Sequence, residues 1–266
     1  MSAVMNPTLR RDLGLVGWQI RYEQRSYWRN RGRGVFTFIF PLMFLVIFAS
    51  LNKNTHLNAA GGIPYNDFFV PGILAYGVIT TTYVNMAIGT AILRDEGILK
   101  RMKGTPLPRW AYIAARIGST VLIVTAMAVL TLALGAVAYN VHVRLSTLPG
   151  LLITLVLGTA AFTTLGIGVT RFIPNAEAAP VFVNLSVLPL TFISSIWFPV
   201  NDMPKVLKTI ADFFPLKPLA EGLQYAFNPH TTGIGLKAQD VRTLVIWTAV
   251  GIVLMIRFLK APEPEK

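Results

Sequence analysis

The stretch IAARIGSTVLIVTAMAVLTLALGAVA, Ile113–Ala138, carries a single charge, Arg116, near its start. A helix needs roughly 20 mostly apolar residues to cross a bilayer, so this run predicts a membrane-spanning helix. Five further runs read the same way: Val35–Leu51, Phe68–Leu93, Pro149–Val169, Pro180–Phe198 and Leu244–Leu259. Arg257, near the end of the last, stands close enough to an interface to snorkel, as does Arg116. The predicted fold is an all-α integral membrane protein with six transmembrane helices. Residues 1–34 form a cytoplasmic amphipathic segment and residues 35–262 the transmembrane domain.

Composition supports this class. Hydrophobic residues make up 53% of the 266 and charged residues only 14%, a balance that a water-soluble domain of this size could not keep in solution. With no cysteine and three scattered histidines, His56, His142 and His230, the chain has no metal-ligand spacing. The net charge of +12 comes from residues beside the apolar runs, where anionic lipid headgroups and insertion topology account for them, so no nucleic-acid partner is expected. MSAVMNPTLRRDLGLVGWQIRYEQ lacks the apolar core and small-residue cleavage site of a signal peptide and is expected to stay attached.

Six spans put both termini on one side. Assigning Met1–Gly34, Arg94–Arg116, Arg171–Ala179 and the end from Arg257 to the cytoplasm places 17 Lys/Arg there against 7 in the opposite loops. The positive-inside rule therefore predicts a multi-pass cell-membrane protein with both termini cytoplasmic.

Two segments are amphipathic without being spans. Leu9, Leu13, Val16 and Ile20 recur at helical spacing among charges, the pattern of an N-terminal interfacial helix, serving either as a plain anchor or in signalling to a partner. In DMPKVLKTIADFFPLKPLAEGLQYAF, two stripes split by Pro215 and Pro218 are each too short to cross. They predict a re-entrant helical hairpin in the outer leaflet between spans 5 and 6, with Pro218 opening the second helix, acting either as a gate or as an inert cap.

The spans carry no ionisable group near their midpoints, which argues against an ion-coupled pump. Thr81, Asn85, Asn184 and Thr191 could line a polar path, although hydrogen bonding between helices is the simpler role for each. No phosphate-binding loop is present and no nucleophile stands beside a histidine or carboxylate, so the chain reads as a non-enzyme. If the chain moves anything against a gradient, another chain must supply the energy.

RDEGILKRMKGTPLP, Arg94–Pro108, then acquires a task. Asp95 and Glu96 suit the first turn of a short helix, Lys100, Arg101 and Lys103 its C-terminal end, and Gly104 with Pro106 and Pro108 its stop. Glu96 and Lys100 stand at i, i+4. Ile98, Leu99 and Met102 form an apolar stripe that suits lipid or the groove of a cytoplasmic partner equally well.

The series Arg94-Asp95-Glu96-Gly97-Ile98-Leu99-Lys100-Arg101, with Thr105-Pro106-Leu107, resembles the R-E-x-G-T/I-L-x-x-L-x-x-T-P-L signature of ABC-2 type transporter permeases, with Asp95 where Glu is usual. Leu188-Pro189-Leu190 through Phe198-Pro199, then Met203-Pro204 and Phe214-Pro215-Leu216, is similar to that family's L-P-L-x-F-x-S-G-x-x-F-P, L-P and N-P-L pattern. Ser195 replaces the customary Gly and Phe214 the customary Asn. Chain length and the basic N-terminus are most similar to the drug-efflux subgroup typified by daunorubicin exporters.

The resemblance implies a permease that pairs with a second copy of itself, as a homodimer, or with a close relative, and with a separate ABC ATP-binding subunit. ATP and Mg would be held by that subunit and no cofactor by this chain. Asp95, Glu96, Gly97, Ile98, Leu99, Arg101 and Met102 would couple to the ATPase, with Glu96 and Arg101 holding the docking helix or touching the ATPase directly. Amphipathic drugs, lipids or lipid-linked molecules would leave between the two copies. A polysaccharide or lipid-linked glycan exporter, a non-transporting membrane scaffold and a membrane enzyme are the rival readings. A wide aromatic channel would favour glycans, and a narrow apolar cleft drugs or lipids.

Overall fold

Helix α1, Pro7–Arg29, is held against the membrane helices by its own sequence. In the computed structural model, which describes residues 7–57, 62–102, 109–200 and 203–260, α1 packs along helix α5, Arg109–Tyr139. Gly118 leaves room for Ile20, since a Cβ there would come within 2.9 Å of the Ile20 Cδ1. Gln24 donates to the Ser119 carbonyl at 2.8 Å and to its hydroxyl at 3.0 Å. Val16 and Ile20 are thus half-buried against protein, while the stacked Trp18 and Tyr22 stay exposed on another face. The side chains of Leu9 and Leu13 lie outside the described residues.

After the turn Arg31–Gly34, helix α2 runs Val35–Leu51, its first five residues π-helical. A two-residue ladder, β1 His56–Leu57 with β2 Ile63–Pro64, leads into α3, Tyr65–Asp95, and departs slightly from the all-helical expectation. In α3 the Thr80 and Thr82 hydroxyls capture the Tyr76 and Val78 carbonyls at 2.9 and 2.6 Å. Such side-chain competition with the backbone ladder accompanies a π-helical stretch over Thr80–Val84. The five-residue helix α4, Ile98–Met102, precedes α5.

Helix α6, Leu148–Val169, and helix α10, Ala238–Lys260, form the most intimate pair. Gly251 lies directly against the Thr164 side chain, and a Cβ at Gly168 would come within 2.6 Å of the Leu254 Cβ, so small residues bring the two backbones together. Between them in sequence come α7, Ala179–Ile193, α8, Lys205–Phe213, and α9, Leu216–Phe227. Helix α9 is buried against α3, α6 and α10, and its Leu216, Leu219 and Leu223 enter the main core with Phe69, Ile73 and Leu74 of α3. Helix α8 remains largely exposed.

Among the described residues, four helices are long and apolar enough to cross a membrane: Tyr65–Asp95, Ala111–Tyr139, Leu148–Phe172 and Ala238–Leu259. Val35–Leu51 and Ala179–Ile193 are shorter apolar helices. The expected fifth span, Pro180–Phe198, ends early: α7 stops at Ile193 because Ser195 adopts φ +59° and turns the chain. The second hairpin helix opens at Leu216, after Pro215, so Pro218 occupies its third position and not the first. Arg116 does not snorkel; it is only 7% exposed and donates to the Tyr112 hydroxyl at 3.1 Å.

All six apolar helices connect the same two ends of the molecule. One end carries Asp95, Thr170, Ala179 and Arg257, linked by Arg94 to the Thr170 carbonyl, by Asp95 to Ala176, and by Arg171 to the Arg257 carbonyl. The other carries Leu51, Tyr65, Tyr139 and the α8–α9 pair, where Gln224 donates to the carbonyls of Ser195 and Phe68.

Candidate functional site

At the first end the expected docking segment takes a different form. Asp95 is the last residue of α3, not part of the first turn of a new helix, and Glu96 caps α3. Gly97 at φ +68° then redirects the chain into α4, so Glu96 and Lys100 do not share one continuous helix and the i, i+4 pairing argument does not apply. A carboxylate at a helix C-terminus faces the negative end of the dipole. Asp95 tolerates this because Arg94 pairs with its Oδ1 at 3.1 Å and the Ala176 amide donates to its Oδ2 at 2.6 Å. Arg94 also donates to the carbonyls of Thr170 at 2.8 Å and Pro174 at 3.2 Å.

These contacts clamp the end of α3 to the segment joining α6 and α7. Beyond the clamp, Glu96 and Arg101 are exposed, and the Arg101 guanidinium donates to the Glu96 carbonyl at 3.2 Å. Ile98 and Leu99 are half-buried. The Met102 side chain, Lys103, Gly104 and the Thr105–Pro108 stop lie outside the described residues.

Toward the other end, α2, α3 and α7 enclose a cleft of about 320 Å³. Phe40, Phe44 and Phe48 recur every fourth residue along one face of α2, and Phe69 and Tyr76 face them from α3. Trp197 is the centre, with ring centroids of Phe44, Phe48, Phe69, Tyr76 and Phe192 between 5.4 and 6.4 Å away. Its indole N–H is buried and has no hydrogen-bond partner among the described residues. Phe48 and Phe192 are partly bare at the mouth.

Of the four expected path residues only Thr191 lines this cleft, with its hydroxyl committed to the Leu188 carbonyl at 2.8 Å. Thr81 is buried in the bundle and its hydroxyl has no partner among the described residues. Asn85 donates to the Thr37 hydroxyl at 3.3 Å, joining α3 to α2. Asn184 is exposed on α7. The aromatic constellation was visible in sequence only as the four-residue spacing of Phe40, Phe44 and Phe48.

The same end also holds a charged grouping of residues distant in sequence. Asp212, Glu221 and Asp240 meet Lys208, Lys217 and Lys237 around a second cavity of about 300 Å³. Buried Lys217 pairs with Asp212 and, at 3.6 Å, with Glu221; Lys237 bridges Glu221 at 3.0 Å and Asp240 at 3.9 Å. Burial works to lower the Lys237 pKa, but the Glu221, Asp240 and Asp212 carboxylates outweigh it and raise the value. Among the described residues no group of three or more His, Cys, Asp or Glu could hold a metal ion.

Residues 15–228 match the family model described as ABC-2 type transporter. The chain belongs to the ABC-2 type transporter family. This ABC-2 permease is 24% identical over 187 residues to the inner membrane transport permease YadH of Escherichia coli K12, covering 70% of the chain and 71% of that protein. It is 25% identical over 205 residues to the putative transport permease ycf38 of Pyropia yezoensis, covering 76% of the chain and 69% of that protein. It is also 22% identical over 194 residues to the probable multidrug ABC transporter permease YbhR of E. coli K12, covering 73% of the chain and 50% of that protein. The match spans the Asp95 clamp and the aromatic cleft, and with the long apolar helices it makes the ABC-2 permease a multi-pass membrane protein and the membrane component of a transporter.

Proposed function

We propose that this ABC-2 permease is the transmembrane subunit of an ATP-driven exporter for amphipathic drugs or lipids, of the drug-efflux type. All six apolar helices cross the membrane, with the Asp95 end and both termini in the cytoplasm and the α8–α9 hairpin dipping into the outer leaflet. Two copies pair around the export path. A separate ABC ATP-binding subunit, holding ATP and Mg, docks on Asp95, Glu96, Gly97, Ile98, Leu99, Arg101 and Met102.

The observation that carries the cargo class is the aromatic cleft around Trp197. Its volume falls at the small end of the range for small-molecule sites. Its walls are almost wholly apolar and its space is confined, which suits the apolar body of a drug or lipid, whereas a glycan chain would call for a wide continuous channel. The four-residue periodicity of Phe40, Phe44 and Phe48 runs that wall along one face of α2.

Efflux of an amphipathic cationic dye from vesicles containing the permease and its ATPase tests the reading. Trp197→Ala should slow efflux severalfold, and Trp197→Phe should retain most of it. Unimpaired dye efflux in Trp197→Ala, with normal assembly, would sink the assignment of the cleft.

A further inference from the structure

We propose that the charged cavity between α8, α9 and α10 binds the headgroup of an ethanolamine phospholipid, with its primary ammonium on Asp240 and its phosphate on Lys208. This site is separate from the aromatic cleft and does not depend on which cargo the permease moves.

Asp240, 6% exposed, is one of the residues lining the cavity, and its buried Oδ2 has no hydrogen-bond donor among the described residues; Lys237 comes no nearer to it than 3.9 Å. A buried carboxylate oxygen left without a donor is costly, so the site calls for a group that brings one. The other carboxylates are already engaged: Glu221 accepts from Lys237 and from the Ser195 hydroxyl, and Asp212 accepts from buried Lys217. At the rim stands exposed Lys208, a cation suited to phosphate. Three lysines and three carboxylates leave the lining without net charge, so a zwitterion complements it better than an anion or a bare cation.

The surroundings supply a place for acyl chains. Lys208 and Asp212 of α8 line the cavity, while Val206, Ile210 and Phe213 of the same helix are bare at 71%, 41% and 65% exposure. On α10, Val245 and Ile246 continue the apolar surface just beyond Asp240. Trp247 donates to the Phe213 carbonyl at 2.7 Å and fixes the two helices at this border. A polar socket beside an apolar wall is what a phospholipid at a membrane surface requires. The orphaned oxygen also selects among headgroups: a primary ammonium has N–H donors to offer, and the trimethylammonium of choline has none.

Native mass spectrometry of the full-length permease in detergent tests this. It would be given lipids of identical acyl chains bearing ethanolamine, its mono-, di- and trimethylated forms, or glycerol headgroups. The ethanolamine lipid should be retained about tenfold over the choline lipid, the scale of one hydrogen bond to a charged group, with the fall coming at the third methyl. Asp240→Asn should erase the preference, and exposed Lys208→Glu, which leaves the buried pairs in place, should weaken ethanolamine-lipid retention. Equal retention of ethanolamine and choline lipids, or best retention of the glycerol lipid, overturns the proposal on the wild-type chain alone. Wild-type preference in both variants also overturns it, and glycerophosphoethanolamine binding as tightly as the whole lipid would replace a lipid with a soluble amine.

Discussion

Ser195 occupies a left-handed conformation at φ +59° while only 3% exposed, at the position where the family pattern has glycine. A left-handed L-residue costs about 1–2 kcal/mol, and the compensations are local. Its hydroxyl donates to Glu221 at 3.4 Å, and its carbonyl accepts from Gln224 at 2.6 Å. The first bond is long and weak while the second needs only backbone. Ser195→Gly should therefore be neutral or stabilising by up to about 1 kcal/mol, whereas Ser195→Val should destabilise by more than about 1 kcal/mol, both read from thermal unfolding in detergent. The Asp95 clamp makes a second test at this scale. Asp95→Ala removes the acceptor of the Ala176 amide and the partner of Arg94, so hydrogen exchange at Ala176 should quicken by at least about tenfold. Unchanged protection there would show that the clamp holds nothing.

Element boundaries show what hydropathy can and cannot reveal. Helices α3, α5, α6 and α10 were legible because long apolar runs leave a helix as the way to satisfy backbone hydrogen bonds away from water. The end of α7 was hidden, since Ile193-Ser194-Ser195-Ile196-Trp197 stays apolar enough to continue a span and only the backbone angle at Ser195 ends it. Charge pattern misled in the same way at Asp95 and Glu96: acidic residues before basic ones look like the start of a helix, and here they close one. The break falls at Gly97, whose φ of +68° a side chain would strain. Gly97→Ala should cost about 1 kcal/mol or more and tilt α4 away from its present direction. If α4 docks the ATPase, Gly97→Ala and the charge reversals Glu96→Lys with Arg101→Glu should lower permease-stimulated ATP hydrolysis while membrane insertion stays normal. Stimulation at the wild-type level in all of them would remove α4 from the coupling path.

At the scale of the whole molecule, the Asp95 clamp and the charged cavity lie at opposite ends of one bundle, and their spacing along the chain explains how visible each was. The clamp joins Arg94–Asp95 to Thr170–Ala176, and the charged cavity joins Asp212 to Asp240, so neither grouping exists until the helices pack. The orientation of the bundle carries both proposals into a cell, and the sequence offers a clean way to test it. Because the chain contains no cysteine, a single introduced thiol reports without background. Glu177 is exposed beside the Asp95 clamp, and His230 is exposed at the end that holds α9. The proposed topology, argued from 17 Lys/Arg on one side against 7 on the other, puts Glu177 in the cytoplasm and His230 outside. In sealed right-side-out vesicles, His230→Cys should react with a membrane-impermeant maleimide at once, and Glu177→Cys only after the membrane is opened. The reverse pattern would turn the bundle over and take the Asp95–Met102 segment away from any cytoplasmic ATPase; labelling of both in sealed vesicles would mean that the two ends do not lie on opposite sides of the membrane.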